Sequence, residues 1–283
     1  MAGQRNRRAR TTKRPRVRQS GVRDDSALAG ALSEIQHVLD TPLVELLDSD
    51  VERAHARELT RQARLAPAIE RFRELLAFVG DGCRATQAGK LTPTDATELA
   101  GVLGVTGLAG LEVRSMEDLP EVPRLFHWAM AAELLAVRGT RIVPGSWAED
   151  LQRDPLSFWF KAATTLLEHG LLDGFRHGWR KQYVEFLDTG VPYILAAILH
   201  AGGQVPVAAI EELAWEQVAG AYGYQLDDAS ERRHVDRLVQ AMFAEFADLG
   251  AAERHDQEVR LTELGGALAV AASAMIDDDE PLE

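Results

Sequence analysis

Eight cations crowd the first eighteen residues: Arg5, Arg7, Arg8, Arg10, Lys13, Arg14, Arg16 and Arg18, with no acidic residue among them. Guanidinium and ammonium groups at that density neutralise phosphates. Such binding weakens as salt rises, with a slope of about −0.9 per phosphate contacted on duplex DNA. DNA, RNA and an acidic protein surface would all satisfy the block, so it names a charge and not a partner. A second set lies far downstream, where Arg232, Arg233, Arg237 and Gln240 fall on the exposed side of a predicted helix and Arg254, His255 and Arg260 lie near the hairpin after it. Arginine pairs with guanine and glutamine with adenine in a major groove, so these residue types suit base reading.

Other chemistry finds little support. The stretch AGKLT around Lys90 has the look of a phosphate-binding loop, but its nearest upstream glycine, Gly82, stands too far from Gly89, and Leu91 replaces the required Ser or Thr. Gly101, Gly104, Gly107 and Gly110 follow a helix, where a dinucleotide fingerprint must link a strand to a helix. The histidines at 37, 55, 127, 169, 177, 200, 234 and 255 have no metal-ligand spacing, and Cys83 is the only cysteine. Asp277, Asp278, Asp279 and Glu280 lack the alternation and central glycine of a calcium loop and read as a solvated end. There is no Gly-x-Ser-x-Gly elbow. The expectation is a chain without catalytic, cofactor or metal residues, and not an enzyme.

The elements that must hold the downstream arginines run from Gly190 to Met275. Val191 to His200 and Val207 to Ala219 are apolar helical runs with Gly202 and Gly203 between them, and Gln204 and Val205 allow a short strand. Arg232 to Leu249 places Val235, Leu238, Val239, Met242, Phe243, Phe246 and Leu249 at three- and four-residue intervals, a continuous apolar stripe. Gly250 caps that helix. Ala251 to Arg254 and Glu258 to Thr262 then flank a polar tip at His255, Asp256 and Gln257, as a hairpin. Helix, strand, helix, helix, hairpin, helix is the order of a winged helix.

Upstream, Ser26 to Asp48 and Val51 to Val79 read as helices, followed by a short strand or turn from Ala85 to Leu91 and a helix from Pro93 to Leu103 with Thr92 as its cap. A helix from Leu119 to Leu135 leads into a second hairpin, Leu135 to Val143, turning at Arg138, Gly139 and Thr140. Pro155 starts a connecting helix carrying Phe158, Trp159, Phe160, Leu166 and Leu167, residues expected in a core. The fold class expected is mainly α with small β-hairpins, as tandem winged-helix-like modules joined by helices. The divisions are a disordered basic tail at 1–25, a helical entry at 26–82, a first module at 83–150, connecting helices at 151–187, a second module at 188–276 and an acidic tail at 277–283.

ADLGAAE followed by EVRLTELGGAL resembles the end of many winged-helix modules, where a hairpin strand passes through Leu-Thr-x-Leu-Gly into a final helix. FVGDGCRATQAGKLTPTDATELAGVLG and then LFHWAMAAELLAVRGTRIVPG resemble the front half of uncharacterised helical proteins of high-GC actinobacteria that pair two winged-helix-like modules. The resemblance spans about residues 70 to 275. It implies fold and lineage and brings no activity with it.

Charge then divides the functional readings. The whole chain is −13, yet the stretch up to Arg23 carries nine cations, which leaves −22 on the remainder. Residues 187–273 hold five arginines against fourteen acids, a net −9 that repels duplex DNA, and the first module has no basic excess either. The single cysteine fits a reducing cytoplasm, and the apolar runs fall short of the about 20 residues a bilayer needs, so no membrane contact is expected. The expectation is an adaptor or regulatory protein that binds another protein or its own copy, with nonspecific nucleic-acid contact through the tail. The alternative is a sequence-specific transcriptional regulator reading DNA with the third helix.

Overall fold

One proline divides what helical periodicity joins. The computed structural model describes residues 50–106, 110, 112–172 and 181–278; the basic tail with its phosphate contacts from Arg5 to Arg18, the helix expected over Ser26 to Asp48 and residues 279–283 lie outside the described residues. Instead of one helix from Val51 to Val79 there are two, α1 (Asp50–Leu65) and α2 (Pro67–Val79), separated at Ala66 with extended angles of φ −62° and ψ 129°. Pro67 excludes the helical conformation from the residue before it and has no N–H to donate, whereas at a first helical position neither defect matters.

After α2 come β1 (Cys83–Arg84), α3 (Pro93–Val102), a single 3-10 turn at Met116–Asp118, α4 (Val122–Ala131), and the hairpin of β2 (Leu135–Arg138) and β3 (Arg141–Pro144). Thr92 caps α3 by accepting a hydrogen bond from the Asp95 N–H at 3.2 Å. Of the short strand or turn expected from Ala85 to Leu91, the turn forms: the Gly89 N–H donates to the Thr86 carbonyl at 2.9 Å inside a single bridge between Ala85 and Leu91, and the pairing strand is the dipeptide Cys83–Arg84 before it. α4 is shorter at both ends than the helix expected from Leu119 to Leu135. Pro120 and Pro123 confine its start, and Glu133, at φ 58°, turns the chain so that Leu135 enters β2. Two short helices, α5 (Asp150–Arg153) and α6 (Pro155–His169), follow.

The same order then recurs: α7 (Lys181–His200), β4 (Gln204–Pro206), α8 (Val207–Tyr222), α9 (Ala229–Asp248), β5 (Ala252–His255), β6 (Glu258–Leu261) and α10 (Glu263–Asp278). Each half holds a three-stranded antiparallel sheet in which the strand before the two central helices pairs with the last strand, in orders β1-β3-β2 and β4-β6-β5. Cys83 lies opposite Ile142 in one sheet and Val205 opposite Val259 in the other. α7 begins ten residues before the expected Val191 and runs through Gly190 and Pro192. An interior proline costs about 3 kcal/mol. That is less than the return from burying Val184, Leu187, Val191, Leu195 and Ile198, at about 1.5–3 kcal/mol each.

One continuous core serves both halves. Phe72 of α2 is fully buried with ring centroids 4.8 Å from Trp128 of α4 and 5.5 Å from Phe158 of α6. From α6, the Trp159 indole N–H donates to the Leu249 carbonyl at 2.6 Å, which ties the connecting helix to the end of α9. The apolar stripe expected on α9 is buried throughout. Among the described residues no helix is long and apolar enough to cross a membrane.

Candidate nucleic-acid interface

The direction of every side chain on α9 follows from its start and its stripe. Asp228 accepts hydrogen bonds from the N–H groups of Ser230 and Glu231, at 3.1 and 3.2 Å, and so fixes where the first turn begins. With Val235, Leu238, Val239, Met242 and Phe246 against the core, helical geometry leaves two outward rows. Arg232, Asp236 and Gln240 form the row facing α8, and Arg233 and Arg237 form the row facing solvent.

The first row meets acids. Arg232 Nη2 lies 2.5 Å from Glu212 Oε2 on α8. The Gln240 amide donates to Glu211, and its oxygen accepts from the Arg254 guanidinium on β5. Asp236 sits between them, and burial, reinforced by the neighbouring Glu211, pushes its carboxyl above the usual carboxylate range. The second row has only local bonds among the described residues: Arg233 Nε donates to the Ala229 carbonyl at 2.9 Å and Arg237 Nε to the Arg233 carbonyl at 3.2 Å. Both guanidinium groups are exposed.

The hairpin splits its two arginines between opposite faces. Arg260 lies opposite Glu253 and Gln204 in the sheet, while Arg254 lies opposite Val259, one residue out of phase. Arg254 reaches α9. Arg260 instead lines a cleft of about 430 Å³ shared with Arg61 of α1 and Glu263 of α10. His255, at the tip, lies 3.2 Å from Glu253. The fold therefore gathers Arg232, Gln240 and Arg254, keeps Arg233 and Arg237 beside them, and places Arg260 apart.

Sequence reasoning missed the acids that define this surface. Glu211 and Glu212 are conspicuous as a pair, but only the crossing of α8 and α9 aims them at Arg232 and Gln240. It also missed where two other acids of α9 go. Arg71 of α2 lies 2.5 Å from Asp248, and Arg124 of α4 pairs with Glu245 and lies 3.4 Å from Asp248. Glu245 is 7% exposed at its side chain, and its Oε2 is buried with no hydrogen-bond partner among the described residues. Burial outweighs the attraction of Arg124 and pushes its carboxyl up to about 7. These acids hold the two halves together and do not bear on the exposed row.

Elsewhere the described residues offer little reactive chemistry. Cys83 is half-buried, and burial together with Asp95 pushes its thiol up, which keeps it protonated at neutral pH. No three His, Cys, Asp or Glu side chains among the described residues converge as a metal site. No family model matches the chain, nor does any curated protein or solved structure.

Proposed function

We propose that the chain is a non-enzymatic adaptor or regulatory binding protein, built on two tandem winged-helix-like modules and acting in the cytoplasm. Its partner is another protein or its own copy, and its basic tail adds nonspecific contact with nucleic acid. The repeated order of helix, strand, two helices and hairpin supports the winged-helix reading, as does the resemblance to actinobacterial helical proteins of that build. The observation that carries the adaptor reading is the pairing of Arg232 and Gln240 with Glu212 and Glu211. Breaking an exposed ion pair costs at most about 1 kcal/mol, so the pair itself is a small obstacle to DNA. The larger obstacle is what remains: Glu211, Glu212 and Asp236 would set like charge against the phosphates.

The second reading is a sequence-specific regulator of transcription, and one observation favours it. Arg233 and Arg237 are exposed one turn apart on the helix that a winged helix lays in the major groove. A salt titration of duplex DNA binding separates the readings, using the full chain and a full-length variant in which Arg5, Arg7, Arg8, Arg10, Lys13, Arg14, Arg16 and Arg18 are replaced by Gln. The adaptor reading expects binding to disappear with the tail cations. Salt-sensitive binding that persists in the tail variant and drops on R233A/R237A would instead establish the third helix as the reader.

A further inference from the structure

The helices α7 and α8 leave an apolar groove between them that the core does not fill. It encloses about 460 Å³ and is lined by Phe186, Gly190, Tyr193 and Ile194 from α7 and by Leu213 and Gln217 from α8. Tyr193 and Leu213 are 57% and 41% exposed, so the groove opens to solvent along both walls. Gly190 lines the groove without a side chain. Among the described residues a side chain there would meet nothing within 4 Å, so they impose no packing requirement at this position. A glycine in a helix interior is destabilising, and no left-handed angle at Gly190 explains its presence.

Three features choose the occupant. The lining positions on α7, Phe186, Gly190 and Tyr193, are spaced i, i+4 and i+7, so the groove runs along about two turns of helix. Its walls are helices whose backbone groups bond internally, so an extended peptide finds no strand edge to pair with, whereas a helix satisfies its own backbone. From Gln182 to Tyr222 the chain has five acids and no Lys or Arg. Asp188 is buried and accepts the Leu172 N–H at 3.0 Å, and Glu212 is engaged by Arg232. Glu185 and Glu216 remain exposed, each beside a lining residue. A second copy docked groove to groove would set these acids against their own kind.

We propose that this groove docks an amphipathic helix of a partner protein, with its apolar anchors at i, i+3 or i+4 and i+7 seated between α7 and α8 and its flanking Lys or Arg residues facing Glu185 and Glu216. The proposal rests on the adaptor reading and specifies the chemistry of the adaptor's partner. Apolar burial in the groove supplies affinity, and the acidic flanks select a basic helix over an acidic one.

The test is fluorescence anisotropy of labelled peptides titrated with the full chain. One peptide is a helix former with leucines at i, i+3, i+4 and i+7 and lysines elsewhere, one has the same composition scrambled, and one has glutamates for lysines. The amphipathic basic peptide is expected to bind at least about tenfold more tightly than either control, and L213Q and G190L are each expected to weaken it by about tenfold. V102Q makes a similar apolar-to-polar change at a residue 52% exposed on α3, and should leave affinity unchanged. Leu213 is exposed, so L213Q keeps the fold, and matching unfolding midpoints verify this. Equal binding of the scrambled or acidic peptide overturns the proposal, as does affinity unmoved by both groove variants. So does a concentration-dependent dimer that L213Q dissociates. Loss of the groove would leave the adaptor reading to the DNA titration, while sequence-selective DNA binding alongside intact peptide binding would remove the adaptor reading alone.

Discussion

Replacing Glu245 with Gln should stabilise the protein at pH 8 and leave it nearly unchanged at pH 4. Glu245 joins the two halves through Arg124, yet burial raises its carboxyl from an ordinary 4.5 to about 7. Because the folded state holds this proton more tightly than the unfolded chain does, the stabilising effect is complete below pH 4.5. As pH rises, the unfolded chain ionises first, so stability falls until the folded carboxyl has also ionised, above pH 7. The displacement is worth about 3 kcal/mol over that window. Gln keeps an oxygen for the Arg124 guanidinium and cannot ionise, so E245Q should lack this component of the decline. Urea unfolding of both proteins across the range gives the difference directly, and subtracting one profile from the other cancels the titration of groups that do not interact with Glu245. Parallel profiles would refute the reasoning, as would an E245Q protein less stable than its parent at pH 8. Either result would mean that Arg124 and Arg71 hold the carboxylate charged in the folded state.

Other outcomes follow from packing. A Cβ at Gly265 would overlap the Ala251 carbonyl, whereas Gly266 beside it is open, so G265A should destabilise by about 1–3 kcal/mol and G266A should stabilise by about 0.5–1 kcal/mol. The two midpoints in urea check this pair. F72A should cost about 3–5 kcal/mol and lower the midpoint of a single transition, because its ring contacts belong to the core that both halves share; two separate transitions in calorimetry would contradict the shared core. W159F removes the indole bond to the Leu249 carbonyl and should cost about 1–3 kcal/mol, again read from the unfolding midpoint.

Local chemistry carried the sequence reading furthest. The stripe from Val235 to Leu249, the Thr92 cap and the turn at Gly139 depend on neighbours within a turn or two, and each is where its spacing places it. Boundaries failed where a proline has two meanings. Pro67 starts a helix and divides one that looked continuous, while Pro192 sits inside a helix because burial on either side outweighs it. The candidate interface was legible as a set of basic residues and illegible as an electrostatic surface. Arg232 and Glu212 are twenty residues apart, and Arg71 and Asp248 177 apart, so no periodicity links them. Only the crossing of helices decides which acids answer which arginines. The split of Arg254 and Arg260 was not legible, because which face each takes depends on the hairpin register that pairs Arg254 with Val259 and Glu253 with Arg260.

Selection from a pool of random-sequence duplexes with the full chain tests the proposal that α9 does not read DNA. Retention is expected to depend on salt and to enrich no sequence. Enrichment of one motif, bound tightly by the parent protein and weakly by R233A/R237A, would contradict that proposal.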